Sequence, residues 1–187
     1  MSYDATALQN FWLNQAGLTL NILPSRTFNS TTYQTMDTQT EVQTFLLTNA
    51  DPNGPTNFTS PPITVWFSHG FGGDFGLSLI DANRSWIDAD NSTTYLTAAL
   101  AHELGHTFGP GHLDTPSNLM NPALPADVQL SDLVLNGSQV STVLASNFVH
   151  DAPVGVPGPV VGAGLLGLVT GFAAMLAWYR KRRAVGA

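Results

Sequence analysis

Apolar and polar positions alternate along the first 150 residues in short blocks that predict a chain of small elements. Leu8, Phe11, Trp12 and Ala16 recur at helical spacing, so Ala5 to Ala16 is expected to form an amphipathic helix. Leu18 to Leu23 alternates with a period of two and is closed by Pro24, the pattern of a strand. Thr27 to Thr40 is polar, a loop or edge strand, and Glu41 to Leu47 reads as a further strand. Asp51 to Pro62 carries Gly54, Pro55, Pro61 and Pro62 and is expected to be loop. Ile63 to Phe67 is a compact strand, with a glycine-rich turn from His69 to Asp74 behind it, and Trp66 and Trp86 are expected in the core. Asn91-Ser92-Thr93 offers a helix N-cap before an apolar run from Tyr95. Leu96, Leu100, Leu104 and Phe108 form an i, i+4 row, so one face of that helix turns inward. Leu124 to Gly137 reads as loop with a short turn. Ser138 then caps a last helix, Gln139 to Val149, with Val140, Val143, Leu144 and Phe148 inward.

The helix after Tyr95 carries the chemistry of the chain. His102 and His106 are one turn apart, so both imidazoles leave from the same face, roughly opposite the leucine row. Neutral imidazoles at that spacing fill two corners of a zinc tetrahedron. Gly109 is expected to end the helix in a left-handed turn, which lets the chain swing His112 round as a third ligand. Three histidines leave a fourth position for water, the arrangement of a catalytic rather than a structural zinc site. Glu103 lies about 100° round the helix from His102 and is badly placed to ligate. Its carboxylate is therefore expected to act as general base, taking a proton from a zinc-bound water. His69 with Asp74 matches no defined metal-site spacing and reads as a polar loop. His150 falls at the edge of the domain and needs no ligand role.

Written out, the stretch is Ala101-His102-Glu103-Leu104-Gly105-His106-Thr107-Phe108-Gly109-Pro110-Gly111-His112, an H-E-x-x-H-x-x-G-x-x-H pattern. It resembles the metzincin clan of zinc endopeptidases, whose second signature is a methionine turn beyond the third histidine. Ser117-Asn118-Leu119-Met120-Asn121-Pro122 fits that turn, and the resemblance implies Met120 beneath the zinc. Gly76-Leu77-Ser78-Leu79-Ile80-Asp81 and Trp86-Ile87-Asp88 are similar to the segment before the helix in matrixin-like members. Two positions depart from the pattern. Leu113 follows the third histidine where a subfamily marker stands, and Asn121 replaces the tyrosine that matrixins often carry. The resemblance implies an α+β fold: a twisted, mostly parallel sheet over the zinc helix, the Met-turn, and a C-terminal helix.

The tail has another character. Residues 151–159 form a Pro/Gly linker, and residues 160–179 contain no charge. At 1.5 Å per residue those 20 positions span about 30 Å, the thickness of bilayer hydrocarbon. Trp178 and Tyr179 fit the interface, and residues 180–187 open with Arg180, Lys181, Arg182 and Arg183. The positive-inside rule puts that basic end in the cytoplasm and the domain of residues 1–150 outside. Linker, span and basic end resemble the PEP-CTERM sorting signal, here with Val156-Pro157-Gly158-Pro159, which implies an exosortase-type processing enzyme as partner. Residues 1–20 lack the basic start and unbroken apolar run of a signal peptide.

Composition narrows the rest. The chain has 187 residues and a net charge of −7, with four of its six basic residues in the last eight positions. Ahead of them only Arg26 and Arg84 stand against all 13 acidic residues, which argues against nucleic-acid binding. No cysteine is present, so disulfides, a cysteine-ligated zinc and a cysteine latch are excluded. Five Asn-x-Ser/Thr triplets are incidental in so Asn-, Ser- and Thr-rich a chain. The expected function is a Zn²⁺-dependent endopeptidase acting on extracellular polypeptide from the cell envelope. The alternative is a zinc-containing surface or matrix-binding module without catalysis, against which the intact Glu103 argues.

Overall fold

The computed structural model describes residues 2–25, 27, 38–48, 62–69, 75–80 and 83–150. Residues up to His150 form one compact unit, and its described residues build, in chain order, two helices, three strands and two further helices. Helix α1, Ala5–Ala16, starts where the Asp4 side chain accepts a hydrogen bond from the Ala7 amide. It ends at Gly17, whose φ of 69° is the left-handed stop that glycine adopts at little cost. Leu8, Phe11 and Trp12 are its buried face, as their spacing predicts.

Helix α2, Gln39–Thr48, replaces the strand expected over Glu41 to Leu47. A capping box explains the difference. The Thr38 hydroxyl accepts from the Glu41 amide at 3.2 Å, and the Glu41 carboxylate accepts from the Thr38 amide at 3.0 Å. Once the helix is started, Val42, Phe45 and Leu46 fall on one face and are buried. Arg84 then donates to the Leu46 carbonyl at 2.6 Å, a cation at the carbonyl end of the helix.

Strands β1 (Thr64–Ser68), β2 (Gly76–Ser78) and β3 (Arg84–Asp88) form a sheet in the order β1-β3-β2. β1 pairs parallel to β3, with Trp66 opposite Trp86, whereas β2 pairs antiparallel, with Leu77 opposite Trp86. The sheet of the described residues is therefore mixed rather than mostly parallel. The reason is the short link from β2 to β3, because only an antiparallel return closes so quickly. Leu18 to Leu23, expected as a strand, forms none: Leu18 and Leu20 pack on the core, while Ile22 and Leu23 are exposed.

Successive residues of β3 point to opposite faces. Ile87 joins a core with α1 and with helix α3, Thr93–Thr107, while Trp86 joins Val42, Phe45 and Leu46 of α2. Ser92 caps α3, accepting from the Tyr95 amide. Helix α4, Gly137–Leu144, begins two residues earlier than the expected start at Gln139. Asn136 is the cap, in a capping box with Gln139. It also ends earlier than Val149, which leaves Val143 buried, Leu144 half exposed and the chain beyond outside the helix. Among the described residues no helix is long and apolar enough to cross a membrane. The linker 151–159, the expected span 160–179 and the basic end 180–187 lie outside the described residues.

Candidate metal centre and catalytic site

The last turns of α3 carry His102, Glu103 and His106, each 6% exposed. Phe108 closes the helix, and Gly109, at a φ of 111°, makes the left-handed turn that redirects the chain to His112. The three imidazoles converge. Their Nε2 atoms stand 3.1 Å apart for His102 and His106, 3.0 Å for His106 and His112, and 3.3 Å for His102 and His112.

Hydrogen bonding decides what those nitrogens are. The Nδ1 of His102 lies 2.6 Å from the Leu119 carbonyl, and that of His106 lies 2.9 Å from the Pro110 carbonyl. A carbonyl oxygen only accepts, so each Nδ1 carries the hydrogen and donates it. In a neutral ring the Nε2 then holds a bare lone pair. Burial keeps both rings neutral: it is the main cause that pushes His102 down to about 4, with the neighbouring His106 adding to it, and it lowers His106 as well. Lone pairs facing one another at about 3 Å repel unless a cation sits among them. Zinc–nitrogen bonds of about 2.0–2.1 Å in a tetrahedron set nitrogen separations of roughly 3.3–3.4 Å. The three donors therefore fit a zinc ion, and carbonyl partners on the far nitrogens are the usual support of such ligands.

The methionine turn is the floor of this centre. Met120 is fully buried, and its sulfur and methyl group press against Gly105 between the two helical histidines, where no side chain fits. The same turn supplies the Leu119 carbonyl to His102 and accepts at the Met120 carbonyl from the Leu113 amide, 2.8 Å, next to the third histidine. The turn is held by a pair of buried amides. Asn118 and Gln139 exchange two side-chain hydrogen bonds at 2.9 Å each, and the Asn118 oxygen also accepts from the Met120 amide. Leu119 donates to the Val134 carbonyl and Val134 to the Ser117 carbonyl, a one-rung parallel bridge. Neither amide stood out in the sequence. The signal that could have found Gln139 is its place three residues after Asn136, the capping-box spacing.

The Glu103 side chain lies against Gly76 of β2, the edge strand of the sheet. Tyr95, two turns earlier, is buried, and burial together with the charge of Glu103 raises its phenol well above the usual range. The two departures noted in the sequence have local roles. The Asn121 side chain donates to the Thr115 carbonyl at 3.1 Å and accepts from the Ala123 amide at 2.8 Å, so it braces the loop. The Leu113 side chain is partly exposed. His69 is not part of the centre: its Nδ1 meets Asp90 at 2.6 Å on the surface, while Asp74 lies outside the described residues. His150, at the end of the unit, is exposed and also stands apart.

Residues 27–140 match the matrixin family. The chain belongs to that family. Matrixins are zinc metalloendopeptidases, in keeping with the resemblance carried by the histidine pattern and the methionine turn. Matrilysin of Rattus norvegicus is 36% identical to this matrixin over 58 residues, a stretch that covers 31% of this chain and 21% of matrilysin. The chain thus spans about a fifth of that relative's length.

Proposed function

We propose that this matrixin is a zinc metalloendopeptidase in which His102, His106 and His112 hold Zn²⁺ and Glu103 is the general base. The observation that carries this is the convergence of three Nε2 atoms within 3.0–3.3 Å, two of them fixed as lone-pair donors by their carbonyl partners. Zinc, when bound, supplies Lewis acidity, polarising the scissile carbonyl and making water a nucleophile near neutral pH. Glu103 takes one proton from the attacking water as the new carbon–oxygen bond forms. It returns that proton to the amide nitrogen as the carbon–nitrogen bond breaks, so the peptide becomes a carboxylic acid and an amine, which exchange the remaining proton to leave as carboxylate and ammonium. The substrate class is polypeptide outside the cytoplasm.

Glu103→Gln in the full chain tests the assignment. The variant keeps side-chain size and all three histidines, so zinc content and melting temperature should match wild type. Hydrolysis of a panel of unstructured polypeptides, followed by mass spectrometry, should fall at least about a hundredfold. Equal cleavage by the Gln variant would remove Glu103 from the mechanism. A zinc-loaded wild type that cleaves nothing in the panel would favour the alternative, a zinc-containing surface or matrix-binding module.

We propose further that residues 160–179 anchor the chain in the cell envelope, with the catalytic unit outside. The support is 20 uncharged residues followed at once by four basic ones. An exosortase-type enzyme acting on the tail would release the unit. The full chain should fractionate with membranes, with residues 1–150 digestible by protease added to intact spheroplasts. Complete protection of that unit would reverse the orientation.

A further inference from the structure

We propose that Gly76 is a positioning residue for Glu103. Its missing side chain is the recess in which the carboxylate sits, so strand β2 sets where the base points. The consequence for rate rests on the endopeptidase function above, whereas the recess itself can be tested without it.

Glycine is a poor choice for a strand on backbone grounds, because it loses more conformational freedom on folding than any other residue. Gly76 is also not in the left-handed region, so its backbone conformation does not call for glycine. Space does. A methyl group at Gly76 would come within 2.6 Å of Cγ and Oε1 of Glu103 and 2.8 Å of Cδ, inside van der Waals contact. Glycine within a strand often marks such a close approach.

Which side would yield follows from how each is held. Gly76 pairs with fully buried Ile87, and the Asp88 amide donates to the Phe75 carbonyl at 3.1 Å. The Phe75 ring meets Tyr95 of α3 edge-on at 4.5 Å, which ties the start of β2 to the helix. On the other side, Thr107 donates to the Glu103 carbonyl at 3.2 Å, and the buried Ser85 hydroxyl meets Thr107 at 3.0 Å and Ser78 of β2 at 2.6 Å. With both backbones fixed, only the side-chain torsions of Glu103 are left to absorb an added methyl. The carboxylate would turn out of its seat while the fold stayed intact.

The full chain carrying Gly76→Ala is the test. Zinc content and KM should stay within about twofold of wild type, while kcat falls at least about tenfold, since misplacement of a reacting group by an ångström can cost about a hundredfold. In the Glu103→Gln background the same change should have no further effect on kcat, because both act through one carboxylate. If Gly76→Ala instead lowers the melting temperature, that loss should vanish in a Glu103→Ala background, which removes all three contacted atoms. A loss that persists there overturns the proposal. In isotope-labelled protein a strong nuclear Overhauser effect should join Gly76 Hα to Glu103 Hγ, and its absence overturns the recess whatever the activity. Full kcat in Gly76→Ala beside an inactive Glu103→Gln would defeat the positioning role alone. An active Glu103→Gln would defeat the catalytic assignment and leave the recess to the spectroscopic result.

Discussion

His102 and His106 each use Nδ1 on a backbone carbonyl and leave an Nε2 lone pair turned toward the neighbouring imidazole. His112 differs: it is exposed, and its Nε2 turns toward those of the other two. His112→Ala should therefore leave the metal-free fold intact. It should weaken zinc binding by more than about a hundredfold, since even the supporting shell of a metal site is worth about 10–100-fold. Competition with a chromogenic chelator measures this, and an unchanged affinity would place the third ligand elsewhere. These residues were legible in the sequence because a helix and a glycine turn convert fixed offsets into fixed directions. Gly76 and Gly105 were not, since the role of each is the room it leaves for a side chain from a distant part of the chain, Glu103 and Met120 respectively.

At the level of elements, α4 reaches the metal centre through a relay of contacts. Gln139 holds Asn118, Asn118 holds the Met120 amide, and the adjoining Leu119 carbonyl orients His102. Gln139→Leu removes the amide partner of a buried asparagine and half of the α4 capping box. A buried polar group left without its partner costs about 1–3 kcal/mol, so chemical denaturation should show a loss in that range. Zinc affinity should fall as well, by roughly tenfold, as the His102 ring loses its fixed orientation. Unchanged stability and affinity together would mean the amide pair is dispensable. None of this relay could be read from periodicity, which reports buried faces and is silent about amide pairs. Periodicity also misjudged α2, where Thr and Phe favour a strand locally while the Thr38–Glu41 capping box and the face of Val42, Phe45 and Leu46 settle a helix. Helices α1 and α3 were predictable because their caps and their apolar stripes agree.

For the molecule as a whole, the proposed zinc site makes folding and metal occupancy share one set of groups, which predicts that stability depends jointly on zinc and pH. The metal-free protein folds with His102 neutral, its value pushed from about 6.5 down to about 4, largely by burial, and with His106 lowered too. The unfolded chain therefore binds more protons than the native one in that window, and stability rises with pH across it. Seen from neutral pH, metal-free stability is complete above about pH 6.5 and drains away as pH falls toward 4. His102 alone accounts for about 3 kcal/mol of that loss, taking about 1.4 kcal/mol for each unit between the two values. Zinc adds to the folded side, by about 4 kcal/mol when free metal exceeds its dissociation constant a thousandfold. Because it binds the same lone pairs that acid protonates, its contribution should shrink over the same interval. Urea denaturation of the full chain at half-unit steps from pH 7.5 to 4.5, with chelator and with excess zinc, reads both effects. The chelated curve should slope downward below pH 6.5, and the zinc curve should lie above it at neutral pH and converge on it in acid. A chelated protein equally stable at pH 7 and pH 4.5 would mean that the histidine cluster opens to water in the metal-free state. Parallel curves with a constant gap would mean that zinc binds through groups other than these three imidazoles.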